Sequence, residues 1–167
     1  ALSINHCMAK EEKHSQPEIR NRKARFDYHI DKTFEAGIAL EGTEVKSIRQ
    51  GNANLTDAFA TLKKGEVWLM DAYIKPYDHQ GTVMNHDARR ARKLLLNKKE
   101  IRELDKQINQ KGVTVIPLKM YFKGPYVKVL IGLARGKKQY DKRQSIKEAD
   151  TRREIDKKIK GSYKVNL

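Results

Sequence analysis

The chain of 167 residues has little of what stabilises secreted or membrane proteins, since it contains one cysteine and no long hydrophobic run. One cysteine cannot form an intramolecular disulfide or a multi-cysteine metal site. A membrane-spanning helix needs about 20 consecutive apolar residues, and no segment approaches that length. The first residues lack a basic segment followed by an apolar stretch, so we expect no secretory signal, no membrane partner and a cytoplasmic protein.

The sequence is instead rich in positive charge, with 36 Lys and Arg residues against 21 Asp and Glu residues and a net charge of +15. Hydrophobic residues make up only 38% of the chain, which allows one small core but not a core in every segment. A charge this large favours a polyanionic partner, and nucleic acid is the commonest one.

The charge is concentrated near the C-terminal end. Residues 134–167 contain twelve Lys and Arg residues against five acidic ones, a net charge of +7, whereas the preceding 133 residues carry +8. The sizeable apolar side chains of this segment up to Lys160 are Tyr140, Ile146, Ile155 and Ile159. So few cannot offset the entropy cost of ordering, and we expect a basic tail that is disordered in the free protein. The alternative is a solvated helix packed on the body.

The other end of the chain also differs from the body. Residues 1–20 are polar and show no periodicity, which predicts a disordered leader. Met8 resembles a natural start, so we expect residues 1–7 to be an upstream remnant. Residues 21–133 remain, and we expect them to form one folded domain.

Alternating apolar and polar residues predict that most of this body is β-structure. The predicted strands and hairpins cover residues 26–30, 34–40, 58–74 and 113–133. The two hairpins turn at Lys64-Gly65 and at Gly124-Pro125, which are typical turn dipeptides.

Capping residues predict three helices in the body. The predicted helices are residues 44–49 after Thr43, residues 88–96 after Asp87, and a third from the capping box of Asn97 and Glu100 to Gly112. About six short strands with a helical insertion predict a small closed antiparallel β-barrel with flanking helices.

The sequence shows no enzyme motif. It contains neither a phosphate-binding loop nor a nucleotide fingerprint. His79, His86 and Asp87 are close in the sequence, but no further ligand spacing accompanies them, so we interpret them as solvated loop residues and expect no metal. Glu35 and Glu44 could form a catalytic carboxylate pair, but nothing in the sequence brings them together. We therefore expect neither catalysis nor a cofactor.

Features of a binding protein are stronger. Four basic runs occur along the chain, and contacts from such runs to phosphates give affinity without reading sequence. Tyr140, just before Lys142, could stack on an unpaired base. Each run alone could be a solvated charged surface, but four together favour nucleic acid. The cations expected to contact RNA are Arg22, Lys23, Arg25, Lys46, Arg49, Arg92, Lys93, Lys137 and Lys138.

Six sequence blocks are shared with a known family. They are NRKAR at 21–25, FEAGI at 34–38, GTEVKSIR at 42–49, NANL at 52–55, RKLLLN at 92–97 and GLARGKKQYDKR at 132–143. On these blocks, which follow one another in order into the tail, the chain resembles small protein B, the SsrA-binding protein family.

The resemblance implies a β-barrel of the oligonucleotide-binding (OB) type. It implies a bacterial protein, expected to be monomeric, that binds the tRNA-like domain of transfer-messenger RNA (SsrA RNA) and rescues stalled ribosomes by trans-translation. It also implies that the tail becomes helical on the ribosome, where it occupies the decoding centre, made of rRNA, and the empty mRNA channel. The alternative is a ribosomal or ribosome-assembly protein that binds rRNA, which has the same composition.

The resemblance also places functional residues. The RNA-contacting positions of the family fall on Glu35, Leu95, Asn97 and Lys128. The tail residues expected to bind the ribosome are Tyr140, Asp141, Lys142, Arg143, Ile146 and Lys147, with Tyr140 standing where some members have histidine.

Two of these assignments have alternatives in the sequence. Glu35 would be repelled by phosphates, so it must accept hydrogen bonds from a base edge or a 2′-hydroxyl. It could equally be the ion-pair partner of a neighbouring Lys or Arg. Leu95 could simply belong to the core, whereas Asn97 and Lys128 are polar and are expected at the margin of the barrel.

Overall fold

The computed structural model describes residues 17–77 and 85–162. The strands are β1 (Ile19–Arg20), β2 (Tyr28–Ile38), β3 (Ala53–Asn54), β4 (Phe59–Lys63), β5 (Glu66–Met70), β6 (Tyr73–Ile74), β7 (Arg92–Leu95), β8 (Val113–Lys123) and β9 (Tyr126–Gly136). The helices are α1 (Arg22–Asp27), α2 (Gly42–Arg49), α3 (Lys98–Ile108) and α4 (Gln139–Ser162). No helix of the described segments is long and apolar enough to cross a membrane.

Seven strands form one antiparallel sheet whose pairings close on themselves. The order is β1-β8-β4-β5-β7-β2-β9, and β9 pairs back with β8. Six strands therefore form a ring, and β1 lies outside it against β8. The short strands β3 and β6 pair separately. The expectation of a mainly antiparallel β-protein with flanking helices is confirmed.

The core fills the inside of this ring. In β2, Phe34 and Ala36 are buried, and in β9 Val129 and Ile131 are fully buried. Their alternation with more exposed neighbours is the two-residue period that the sequence shows. Leu104 of α3 is also fully buried, so this helix packs its apolar face on the ring.

Both predicted hairpins are confirmed, and their turns need residues with positive φ. Lys64 (φ 52°) and Gly65 (φ 74°) connect β4 and β5 as the mirror-image turn that matches strand twist. The predicted strand over residues 67–74 is interrupted, because Asp71 has a φ of 55° and ends the ladder after β5. The two residues of β6 pair with β3 instead.

The predicted helix over residues 88–96 is wrong. Residues Arg92–Leu95 form strand β7, which pairs with β5 on one side and β2 on the other. Arg92 and Leu94 point inward while Leu95 is exposed, which is strand alternation. A strand between β5 and β2 is needed to complete the ring. Pairing with these two strands outweighs the helix propensity of the Arg-Lys-Leu segment.

Two element starts also differ from the prediction. The predicted strand over residues 26–30 begins only at Tyr28, because α1 precedes it with Asn21 as N-cap. The side-chain Oδ1 of Asn21 accepts from the Ala24 N–H at 3.1 Å, while its amide nitrogen donates to two carbonyls across the fold. Helix α2 is capped by Glu41 rather than Thr43, since the Glu41 N–H donates to Glu44 Oε2 at 2.8 Å. The capping box of Asn97 and Glu100 is confirmed.

A second small cluster lies outside the ring, where α1 covers the ends of β8 and β9. Ala24 of α1 packs there with Ile116, Leu118 and Ala134.

Helix α4 contains most of the predicted tail, but the tail begins later than predicted, because residues 134–136 belong to β9 and Ala134 is fully buried. The described isoleucines of α4 pack little on the body. Ile146, Ile155 and Ile159 are each about half exposed. Nine residues are two and a half helical turns, so Ile146 lies on the opposite side of the helix from Ile155, and the described isoleucines do not form one continuous apolar face. At its start α4 lies beside α1, and His29 Nε2 is 3.7 Å from Asp141 Oδ2.

Candidate nucleic-acid interface

The outer face of β7, β2, β9 and β8 brings together residues from distant parts of the sequence. The strand registers align Leu95 with Gly37, Gly37 with Lys128, and Lys128 with Tyr121. These four positions form one row across four strands. Because side chains alternate across a strand, residues two positions away share the same face.

A second row runs parallel to the first. It aligns Glu35 with Leu130, Leu130 with Lys119, and Lys119 with Arg20. Glu35 and Lys128 are therefore neighbours on one surface, although they lie far apart in the sequence. We call the surface formed by the two rows the outer face.

Glu35 is held by two residues of β8. The Tyr121 hydroxyl donates to Glu35 Oε2, and Lys123 Nζ donates to Oε1 at 2.9 Å. These hydrogen bonds, with the charges of Lys123 and Lys128, hold the pKa of the Glu35 carboxyl below its usual value. The carboxylate is thus an ionised acceptor, and 37% of the side chain stays exposed. Glu35 therefore forms an ion pair, as the alternative from the sequence predicts, but its carboxylate remains accessible to a further binding partner.

Leu95 is not part of the core, since 54% of its surface is exposed. It sits beside Gly37, where a Cβ atom would lie 3.3 Å from the Leu95 Cβ. Glycine at this position therefore makes room for the leucine on the outer face. Asn97 is also exposed and caps α3, with its N–H donating to Glu100 Oε2 at 2.9 Å.

The basic residues of α1 border this surface. Arg22 and Arg25 are exposed and line a cleft of about 450 Å³ together with Arg20 and Lys119. Leu130 of the second row also lines the cleft, so cleft and outer face are continuous. Lys23 of the same helix faces a separate cleft on its other side.

The other predicted cations lie elsewhere. Lys46 Nζ lies 5.2 Å from the Tyr77 ring centre, and Arg49 lies 5.9 Å from that of Phe122. Lys93 pairs with Glu66. Lys137 Nζ donates to the Arg25 carbonyl at 3.1 Å, and Lys138 is exposed. Of the predicted tail residues, Arg143, Ile146 and Lys147 are exposed, whereas the side chains of Tyr140 and Lys142 lie outside the described ones.

Arg92 is not available to RNA, which corrects the expectation for this residue. Its side chain is fully buried, and its Nε donates to Glu44 Oε1 at 2.7 Å. Its Nη1 donates to the Ala72 carbonyl at 2.6 Å. Arg90 Nη2 donates to the second carboxylate oxygen of Glu44 at 2.6 Å. The guanidinium of Arg92 therefore serves the interior of the fold.

The charges of this buried pair follow from opposing effects. Burial raises the pKa of the Glu44 carboxyl, but hydrogen bonds from Arg90, the Glu41 N–H and Arg92 outweigh it and the net pKa is lowered. Burial lowers the pKa of Arg92, partly offset by Glu44. The sequence did not predict this network. The available signal was the alternation of side chains along a strand, which places Arg92 on the inner side.

His86 also differs from its predicted role as a solvated loop residue. It is 6% exposed, and its Nε2 lies 3.1 Å from the Ile74 carbonyl while Nδ1 lies 2.9 Å from Thr43 Oγ1. It therefore ties the segment before β7 to α2 and β6. His79 lies outside the described residues. Among the residues that are described, no group of three His, Cys, Asp or Glu side chains could hold a metal.

Comparison with known proteins gives consistent matches. A family profile described as SmpB protein matches residues 18–161. The SsrA-binding protein of Ligilactobacillus salivarius (strain UCC118) is 54% identical over 153 residues, covering 92% of this chain and 98% of that protein. The SsrA-binding protein of Synechocystis sp. is 53% identical over 153 residues, covering 92% and 99%.

A solved structure is similar as well. It is described as "tmRNA-SmpB: a journey to the center of the bacterial ribosome", and its chain is 54% identical to this one. The TM-score is 0.63, with 74% of this chain and 86% of that chain covered.

Proposed function

The chain belongs to the SmpB protein family, and on that premise we propose that it binds SsrA RNA in trans-translation through its outer face. The relatives are named SsrA-binding protein, and the similar structure is described by tmRNA and the bacterial ribosome. Its activity is binding rather than catalysis, and it acts where ribosomes are, in the bacterial cytoplasm.

The observation that carries this proposal is the juxtaposition of Glu35, Leu95 and Lys128 on two adjacent rows of the outer face. Asn97 follows two residues after Leu95 and is exposed. The surface thus offers an acceptor, an apolar contact, a cation and an amide within a few strand spacings. An RNA with unstacked bases and exposed 2′-hydroxyls presents complementary groups.

We infer further that the ring of six strands is a closed barrel of the OB type, with the outer face of its β7, β2, β9 and β8 strands as the RNA-binding surface. A rigid closed sheet holds the contacting side chains in fixed positions. Such a surface suits a folded RNA recognised by shape, and the cleft of Arg22 and Arg25 extends it with phosphate contacts.

We propose a separate role for the tail. Residues 134–167 carry nearly half of the net charge, and the described isoleucines of α4 are exposed rather than packed on the body. A helix without tertiary packing is marginally stable in water. The proposal is that this segment is disordered in the free protein, and that its helix forms in the decoding centre and mRNA channel of the ribosome.

The RNA-binding proposal is tested by Glu35→Gln and Asn97→Ser. The first removes the charge, and the second removes the amide while serine can still cap α3. We expect each variant to lose about tenfold in affinity for the tRNA-like domain, as for one charged or bidentate contact. The measurement is a gel-shift titration at fixed salt, with folding checked by thermal unfolding.

The matched control is Glu103→Gln, because Glu103 is also an exposed glutamate paired with a lysine, Lys32, but lies on α3. It should leave affinity unchanged. Unchanged affinity of Glu35→Gln and Asn97→Ser would refute the assignment. Sequencing of RNA captured by the wild-type protein checks the partner, since recovery of rRNA without SsrA RNA would favour a ribosomal protein.

A further inference from the structure

Tyr121 occupies a fixed position beside Glu35. Its hydroxyl donates to Glu35 Oε2, and the ring is half-buried on the outer face. Lys119 Nζ lies 4.6 Å from the centre of the ring, which is a cation–π distance. Lys119 is itself held by Glu18 Oε1 at 2.9 Å. The phenol is therefore constrained at the ring as well as at the hydroxyl.

The carboxylate of Glu35 keeps capacity for further partners. An ionised carboxylate accepts through two oxygens, with about four lone-pair sites in total. Tyr121 occupies one site on Oε2, and Lys123 occupies one on Oε1. One site on each oxygen remains, and 37% of the Glu35 side chain is exposed. Two adjacent N–H or O–H donors of an RNA fit this arrangement.

We propose that Tyr121 is a positioning residue for RNA binding, whose hydroxyl fixes the Glu35 carboxylate as a two-oxygen acceptor for paired donors of an unpaired base. This inference rests on the proposed function of Glu35. Among the bases, guanine presents adjacent N–H donors on its Watson–Crick edge, so an unpaired guanine is the chemical group that the acceptor fits best. Tyr121 acts through Glu35 and needs no contact of its hydroxyl with RNA.

The electrostatics of the pair agree with this role. The hydrogen bond from Tyr121 is the largest cause of the lowered pKa of Glu35. In turn, Glu35 raises the pKa of Tyr121 to about 12, so the phenol stays protonated and keeps donating at neutral pH. The charged groups facing the Glu35 carboxylate from the neighbouring strands are Lys123 of β8 and Lys128 of β9.

A double-mutant cycle tests the inference. Tyr121→Phe removes only the hydroxyl and retains the ring beneath Lys119. We expect it to weaken binding of the tRNA-like domain by about fivefold, less than the loss of the Glu35 charge itself, because Tyr121 acts through Glu35. In the Glu35→Gln background the same change should have less than a twofold effect, because the group it positions is altered. Tyr73→Phe is the matched control, since Tyr73 is an exposed tyrosine of the small β3–β6 sheet.

The outcomes separate the inference from the proposal on which it rests. If Glu35→Gln leaves affinity unchanged, the role of Glu35 fails and the inference fails with it. If Glu35→Gln weakens binding but Tyr121→Phe does not, only the inference is overturned. A Tyr121→Phe loss of equal size in both backgrounds also overturns it, because the hydroxyl would then contact RNA directly.

A spectroscopic readout on the free protein distinguishes positioning from a general structural effect. The carboxyl carbon of Glu35 is followed by NMR from pH 7 to pH 3. Tyr121→Phe should move the pKa of Glu35 upward towards its ordinary value, and Tyr73→Phe should not. A Glu35 pKa that is the same in Tyr121→Phe and wild type would contradict the positioning role.

Discussion

Two arginines that belong to one basic run in the sequence differ in burial in the structure. Arg89 is exposed over the Tyr73 ring, whereas Arg92, three residues later, is fully buried against Glu44. From the sequence alone, an arginine within a basic run is expected to be exposed to solvent. Its burial can be recognised only when the strand that contains it is known. Hydrophobic Leu94 shares its inward side, and that alternation identifies Arg92 as interior.

Arg92→Met tests the structural assignment of this residue. Removing one partner of a buried ion pair leaves Glu44 incompletely compensated, and such changes cost about 3–5 kcal/mol. The free energy of unfolding in urea measures this loss. Arg89→Met, the exposed control, should cost less than about 1 kcal/mol, the scale of an exposed cation–π contact.

The same variant distinguishes a structural from an RNA-contacting arginine. Under conditions where Arg92→Met is folded, its affinity for the tRNA-like domain should equal that of the wild type. Reduced affinity with unchanged unfolding free energy would return Arg92 to the RNA-binding surface.

Among residues expected to bind RNA, prediction from sequence was uneven for physical reasons. Glu35, Leu95 and Lys128 come from three strands, and only the resemblance to the family pointed to them. Composition shows the charge of a residue but not its side of a strand or its partner. For that reason Tyr121, which has no charge and no block of its own, was not singled out, although its hydrogen bond to Glu35 is central to the site.

At the scale of elements, the hairpins and a closed arrangement of strands were predicted from the sequence, but strand β7, which completes the ring, was not. Turn residues such as Lys64-Gly65 act locally, so the sequence next to them is sufficient. Strand β7 has no partner near it in the sequence, because its two neighbours in the sheet, β5 and β2, both lie much earlier in the chain. Its four residues are therefore predicted as helix, because the sequence does not show the gap in the ring that they fill.

The packing of the small cluster beneath α1 depends on a glycine of β9, and Gly132→Ala tests it. A Cβ atom there would lie 2.9 Å from Ile30 Cγ2 and 3.1 Å from Leu118 Cδ1. Both side chains belong to the small cluster beneath α1. Overpacking of this kind costs about 1–3 kcal/mol, which urea unfolding would detect.

Gly136→Ala is the control in the same strand, because no atom lies within 4 Å of its Cβ position. It should be neutral or slightly stabilising, since alanine restricts the unfolded chain. Equal stability of the two variants would show that the cluster tolerates the extra methyl group and that α1 is packed less tightly than described.

For the whole molecule, the net charge of +15 divides between two structural contexts. The body presents its cations around a ring of paired strands, whereas α4 presents them on a helix with exposed isoleucines and little packing. Total charge predicted a polyanionic partner. The different packing of the two parts supports the proposal that the body binds the folded RNA and the tail binds the ribosome.

The measurement that tests this division most directly removes residues 139–167, the segment that begins with α4, and compares two activities of the shortened protein. Affinity for the tRNA-like domain is measured by gel shift, and peptide tagging is measured on stalled ribosomes. Because the outer face lies wholly in the body, affinity should stay within about threefold of wild type, well under the tenfold of one charged contact. Tagging should fall to background. A loss of RNA affinity as large as the loss of tagging would contradict the account.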